Sequence, residues 1–416
     1  MRYSVADGSA FAAMTGLTQN YITPYALALN ANTTQIGLLT SLPNFAMALC
    51  QLAAPWLCET VGGRRKLILP AVFLHALMWI PILLIPYLIH ESPIPWLIGF
   101  MTLNTILGSV ANPAWGSMMA DLVPSYIRGR YFAYRNRICS FITLVFSFIG
   151  GAILQFFTED VFTGFSILFG GAAICRFISL YYLWRMHEPA TISVTDKNGG
   201  YLTILKGLFT SNIGRFITLV TLINFTVMIA SPFFSVYMLE DLKFSYLGYM
   251  INTSCVTIAA LLTNTFWGRR TDRGGNLKAI QITSFLMPLV SLNWLFSTNY
   301  YYLIYAQLFS GFIWTGFNLA TTNYLYDATP PESRTHYIAF FNAINGIAIC
   351  LGSLLGGYIA PHLPCLLGYS MKTLFLISGV GRGIAALILL WGIKEVRRVP
   401  QMSMMDFIFT RHRRHH

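Results

Sequence analysis

Asp121 to Asn136 reads D-L-V-P-S-Y-I-R-G-R-Y-F-A-Y-R-N, and its skeleton returns 206 residues later. Asp121, Pro124, Arg128, Tyr131, Ala133 and Asn136 reappear as Asp327, Pro330, Arg334, Tyr337, Ala339 and Asn342. The same shift takes Asn112 to Asn318, Gly150 and Gly151 to Gly356 and Gly357, and Arg176 to Arg382. A register held over that distance is an internal repeat, which has to be read before any local motif. The chain is two copies of one unit, each about half its length.

Of 416 residues, 55% are hydrophobic and only 10% charged, against about a quarter charged in an ordinary soluble domain. This composition belongs to a polytopic membrane protein, in which about 20 apolar residues cross a roughly 30 Å hydrocarbon core. Apolar segments occupy 5–29, 34–57, 66–89, 95–122, 131–157 and 161–187, then 213–238, 244–267, 276–297, 300–328, 336–362 and 370–395. The expected fold is therefore all-α, with twelve transmembrane helices in two pseudo-symmetric six-helix bundles. The expected organisation is an N-terminal bundle over 1–187, a polar linker over 188–212, a C-terminal bundle over 213–395 and a basic tail over 396–416. The opening M-R-Y-S-V-A-D-G runs straight into an apolar helix and reads as a retained first span rather than a signal peptide. Two homologous membrane halves are a layout of secondary transporters.

Placing the N-terminus in the cytoplasm puts 23 of the 27 Lys and Arg on that side. Only Lys243 and Lys372 fall opposite, and Arg176 and Arg382 lie inside spans. Because the Lys/Arg bias of short loops sets orientation, both termini are expected in the cytoplasm, in the cytoplasmic membrane of a bacterium. Topology accounts for the net charge of +12, so no nucleic-acid partner is implied. The expected partners are a small-molecule substrate and the lipid bilayer, with the chain working as a monomer. The seven cysteines are scattered without a C-x-x-C pair, which argues against a disulfide framework or metal site. No phosphate-binding loop, nucleophile elbow or ligand cluster is found, so neither catalysis nor a cofactor is expected.

Two loops carry the gating residues. Before the third span the chain reads W-L-C-E-T-V-G-G-R-R-K, with Glu59, Arg64 and Arg65; before the ninth it reads W-G-R-R-T-D-R-G-G-N-L-K, with Asp272 and Arg273. Glycines permit the tight hairpin, and an acid there can accept from an arginine or from a neighbouring helix N-terminus. With Asp121, Arg128, Arg130, Asp327 and Arg334, these loops form sets of opposite charges able to latch in one conformation and release in another. Gly268 to Lys278 resembles the signature loop of the major facilitator superfamily, and Asp121 to Asn136 resembles the loop after that superfamily's fourth span. The resemblance covers the whole chain but does not reach a substrate. The first-half loop departs from the pattern at Pro55, Glu59 and Thr60, and the second at Asn276. The fifth span also lacks the G-P pair common in drug/proton antiporters of the superfamily.

The resemblance implies that the first, fourth, seventh and tenth spans line a central cavity, and polar groups inside spans are functional candidates. The substrate-binding candidates are Gln19 and Asn20; Asn112 and Trp115; Asn224; and Trp314, Asn318 and Thr322. Each amide has a second reading, as an interhelical hydrogen-bonder. No acid occupies the middle of a span, which speaks against strong proton coupling; Asp7, at the cytoplasmic end of the first, is the best remaining carboxylate, and His75 is the one mid-span histidine. Arg176 and Arg382 are second-rank anion sites; the resemblance implies that the sixth and twelfth spans are peripheral, which gives snorkelling or pairing toward the Asp121 and Asp327 regions as the alternative. The expected function is a secondary transporter moving a small organic, neutral or anionic solute by alternating access. The alternatives are an exporter of amphipathic compounds or lipid, and a transporter-like sensor that does not translocate.

Overall fold

The structure, a computed structural model, describes residues 2–61, 63–123, 125–187, 210–329, 334–388, 392–397, 399–400 and 407, without the side chains of 51–61, 113, 117, 120–121, 125–130, 133 and 334–336. Most of the 188–212 linker and of the basic tail, and the side chains of Glu59, Asp121, Arg128, Arg130 and Arg334, thus lie outside the described residues.

The first half contains α1 (Arg2–Thr18), α2 (Ile22–Ala28), α3 (Thr33–Val61), α4 (Arg64–Leu77), α5 (Trp79–Leu88), α6 (Pro93–Leu122), α7 (Ser125–Phe156) and α8 (Val161–Trp184). The second contains α9 (Asn212–Ala230), α10 (Phe233–Val236), α11 (Tyr246–Gly274), α12 (Asn276–Phe296), α13 (Tyr300–Ala328), α14 (Arg334–Ile359) and α15 (Ser370–Ala386). A π-helical turn, Tyr237–Asp241, continues α10. Counted as passes, with α1–α2, α4–α5 and α9–α10 as broken pairs, these make twelve.

Proline chemistry accounts for the breaks. A proline inside a helix removes one N–H donor and crowds the carbonyl four residues earlier. Pro24 leaves the Asn20 carbonyl without its helical donor, and the Tyr249 hydroxyl donates to it at 3.1 Å. In α5, Pro86 does the same to Ile82, whose carbonyl accepts from Tyr25 Oη at 2.8 Å. Pro81 stands just past the α4–α5 break, where Ile82 N reaches Met78 O only at 3.5 Å. Pro232 stands at the α9–α10 break. Tyr25 and Tyr249 are buried, so each converts an otherwise orphaned carbonyl into a tertiary bond.

Hydrogen bonds from α7 zip it onto α1. Arg135 Nε donates to Ser4 O at 3.2 Å, Thr143 Oγ1 to Ala12 O at 3.1 Å and Ser147 Oγ to Gly16 O at 3.2 Å, all at a sequence separation of 131. A constant separation means that the two helices run parallel, as the first and fifth passes of one bundle must. α8 packs on α1, α4 and α5. In the second half, α12 packs on α13 and α15, and α9 on α15.

The chain forms two compact units. One comprises Met1–Val194, Ser231–Ser254 and Ile349–His362; the other Thr195–Ala230, Cys255–Ala348 and Leu363–His416. Two segments of the second repeat therefore pack with the first. Within that unit Thr34 Oγ1 donates to Gly357 O at 3.1 Å. Gly37 approaches α14 so closely that a Cβ there would stand 2.7 Å from Ser353 O.

Candidate functional site

The polar centre of the first unit is a cavity of about 120 Å³ lined by Asp7 and Phe11 of α1, Asn112 and Trp115 of α6, Arg135 of α7 and Arg176 of α8, closed by Ile68, Val72, Ala111 and Leu183. Its floor is the apolar cluster of Ile68, Val72, Ala111, Ala114, Met118 and Leu183. α1 brings Asp7 close to α7 because Gly8 lacks a side chain; a Cβ at Gly8 would stand 2.5 Å from Arg135 Nη2.

Asp7 is 4% exposed, the one fully buried acid among the described residues. Its Oδ2 lies 3.8 Å from Arg135 Nη2, and its Oδ1 accepts from Ser179 Oγ at 2.7 Å. Ser179 in turn accepts from Arg176 Nη1 at 3.1 Å, and Arg176 Nε donates to His75 Nδ1, also at 3.1 Å. A guanidinium donates only, so the His75 proton resides on Nε2 in this arrangement. The chain Arg135, Asp7, Ser179, Arg176, His75 thus satisfies a buried carboxylate and a buried cation through one shared hydroxyl. Both arginines also lie over rings, Arg135 4.4 Å from the Trp115 centroid and Arg176 4.8 Å from that of Phe11, a favourable placement for a cation. Asn112 is exposed to the cavity. Trp115 Nε1 is buried in the same wall, beside the Asp7 carboxylate.

Arg176 therefore does not snorkel. It faces the cavity from the sixth pass, which the resemblance implied to be peripheral. Its repeat mate Arg382 is 1% exposed and donates to Ser378 Oγ at 3.2 Å and Met287 O at 3.5 Å. The 206-residue shift puts Ile213 opposite Asp7 and Phe341 opposite Arg135, so the acid belongs to one half only. Sequence reasoning missed Arg135 and Ser179 as parts of a site. Their signal was available only as a basic loop residue and a span serine.

The other candidates are dispersed. Gln19 and Asn20 sit in the turn between α1 and α2, Gln19 exposed and Asn20 half-buried. Asn224 Nδ2 donates to Asn345 Oδ1 at 2.7 Å, a helix-joining bond. Trp314 is half-buried, stacked edge-on with Phe317 at 5.9 Å. Asn318 and Thr322 are exposed, and Thr322 Oγ1 donates back to Asn318 O at 2.8 Å.

Among the gating candidates, Asp327 accepts from Asn276 Nδ2 at 2.8 Å and lies 3.6 Å from Arg397 Nε. Asn276 thus takes up the repeat's acid where the superfamily pattern has an arginine. Glu395, not singled out by sequence, accepts from Leu277 N at 2.7 Å, an anion at the α12 N-terminus where exposed N–H groups favour one. Asp272 and Arg273 are exposed. Arg65 donates to Trp184 O, and Arg64 is half-buried at the start of α4.

Comparison with known proteins agrees with this architecture. The family model of the Major Facilitator Superfamily matches residues 8–228 and 216–403. A search of curated protein sequences finds no match. Among solved structures, the nucleoside transporter NupG superposes with a TM-score of 0.72 at 12% identity, covering 94% of this chain and 99% of that one. A D-xylose–proton symporter gives 0.70 at 15% identity, covering 95% and 96%. A bacterial homologue of the human lysosomal transporter Spinster gives 0.62 at 12%, covering 94% and 93%. At these identities the likeness is one of fold, twelve helices in two bundles.

Proposed function

The chain belongs to the major facilitator superfamily of secondary transporters, and from that premise we propose that it carries a small polar organic solute, neutral or anionic, with the Asp7 cavity as part of the solute and coupling site. The observation that carries this reading is the cavity wall itself. Two guanidiniums face one carboxylate there, alongside an amide and an indole N–H. That wall is net positive and rich in donors, which suits hydroxyls, carbonyls or a carboxylate and disfavours an organic cation. Neutral hydroxyl-bearing solutes are consistent with structural neighbours whose names specify a nucleoside and D-xylose.

Asp7 is the group best placed to couple solute movement to a proton. A buried carboxylate held between Arg135 and the Ser179–Arg176 pair loses its charge on protonation, which frees Arg135 from its counter-ion and weakens the tie between α1 and α7. Such a charge change at a helix contact is a local switch for a two-state rearrangement. The membrane orientation proposed is both termini in the cytoplasm, with the Asp327 and Glu395 contacts on the cytoplasmic side. The Thr34–Gly357 contact then belongs to a gate on the opposite side.

The test is uptake by purified protein in liposomes, with radiolabelled nucleosides, pentoses and monocarboxylates offered in turn. Asn112→Ala is expected to raise KM about fivefold for the solute carried, the effect of losing one hydrogen bond of about 1 kcal/mol. Transport confined to hydrophobic dyes and indifferent to Asn112→Ala would transfer the assignment to an exporter of amphipathic compounds.

A further inference from the structure

A second cavity lies outside the solute site. It is a groove of about 470 Å³ between Leu69, Pro70 and Phe73 of α4 and Phe177, Leu180, Tyr181 and Trp184 of α8. We propose that it seats one acyl chain of an anionic glycerophospholipid, whose phosphate is held by Arg185 and the basic start of α4.

The volume falls in the range of roughly 300–1,000 Å³ typical of small-molecule sites. The walls are apolar and exposed, with Phe73 46%, Tyr181 48% and Trp184 56% accessible, so hydrocarbon reaches them directly. One end is chemically different. Arg185 lies over the Tyr181 ring at 5.2 Å and the Trp184 ring at 6.0 Å, and its Nη2 donates to Tyr181 Oη at 2.8 Å. Arg65 reaches the same end by donating to Trp184 O, with Arg64 and Lys66 beside it in sequence. Neither α4 nor α8 contains an acid, and the first carboxylate after Arg185 in sequence is Glu188. One of five guanidinium donors on Arg185 goes to Tyr181, and the remaining donors suit the bidentate geometry of a phosphate.

Tyrosine and tryptophan mark the level at which headgroups begin, and basic pockets between helices at the cytoplasmic side recognise anionic headgroups. A second copy of the chain is a poorer occupant. Helix pairs in lipid pack through small residues, whereas this groove is lined by leucines, proline and four aromatic rings.

Native mass spectrometry of the full chain tests the assignment, using an equimolar mixture of phosphatidylglycerol and phosphatidylcholine with matched chains. The wild type should retain phosphatidylglycerol preferentially. Arg185→Gln should reduce that preference about fivefold, the effect of about 1 kcal/mol per basic residue near an anionic surface. Leu180→Trp, which fills the groove, should lower retention of both lipids, with the melting temperature in detergent showing that each variant is folded. Equal retention of the two lipids by the wild type, an undiminished preference in Arg185→Gln, or a dimer of the chain in place of bound lipid would overturn the proposal.

Discussion

At the scale of single residues, Asp7 is the acid around which the first unit's buried polar groups are arranged. Its ties to Arg135 and, through Ser179, to Arg176 make it a buried ion cluster rather than a surface acid. Removing one partner of such a cluster leaves uncompensated charge, at a cost of about 3–5 kcal/mol. Asp7→Ala is therefore expected to lower stability by about 3 kcal/mol, read by thermal melting with a detergent-matched wild type. Asp7→Asn keeps an acceptor for Ser179 and should lose less. Asn224 makes the opposite case. Because it bonds Asn345, Asn224→Ala and Asn345→Ala should each cost about 1 kcal/mol and be non-additive in the double variant, with the KM for solute unchanged. The sequence supplied Asp7 and Asn112 as candidates by counting where acids and amides fall along spans. It could not supply the Asp7–Arg135–Ser179 constellation, because those side chains come from three helices whose rotation about their axes no periodicity in so apolar a chain reveals.

At the scale of elements, buried tyrosines and prolines act together. Tyr249→Phe should cost about 1–3 kcal/mol, the penalty for a buried carbonyl left unsatisfied, since Pro24 has already withdrawn the helical donor of Asn20. In a Pro24→Ala background the donor returns, and the cost of Tyr249→Phe should shrink; equal costs in both backgrounds would show that the hydroxyl serves Ser235, 3.0 Å away, and not Asn20. The prolines that coincide with the breaks, Pro24, Pro81 and Pro232, were visible as letters. Their effect was not, because a proline inside an apolar run is compatible with a straight, kinked or broken pass until neighbours show whether the freed carbonyl is otherwise satisfied. Helix existence was legible throughout, because hydrophobic runs of span length admit few alternatives in a bilayer.

At the scale of the whole molecule, the duplication read from Asp121–Asn136 and Asp327–Asn342 led directly to the twelve-helix, two-bundle superfamily fold. The repeat carries over the frame but not the chemistry, since Asp7 and Arg135 have no counterparts in the second half. The close approach of Gly37 to Ser353 and Gly357 is where the proposed gate would close. Gly37→Val should pry it open, so that Thr34→Cys in that background is labelled several-fold faster by a membrane-impermeant maleimide from the side opposite the basic loops. Unchanged labelling would remove the gate from that place. In the mechanism proposed, a buried carboxylate in the first bundle couples solute to proton. The most direct measurement is solute accumulation in liposomes driven by an imposed pH gradient, comparing wild type with Asp7→Asn. Gradient-driven accumulation is expected of the wild type and, for Asp7→Asn, loss of accumulation with exchange of solute retained. Accumulation by Asp7→Asn equal to the wild type would contradict it.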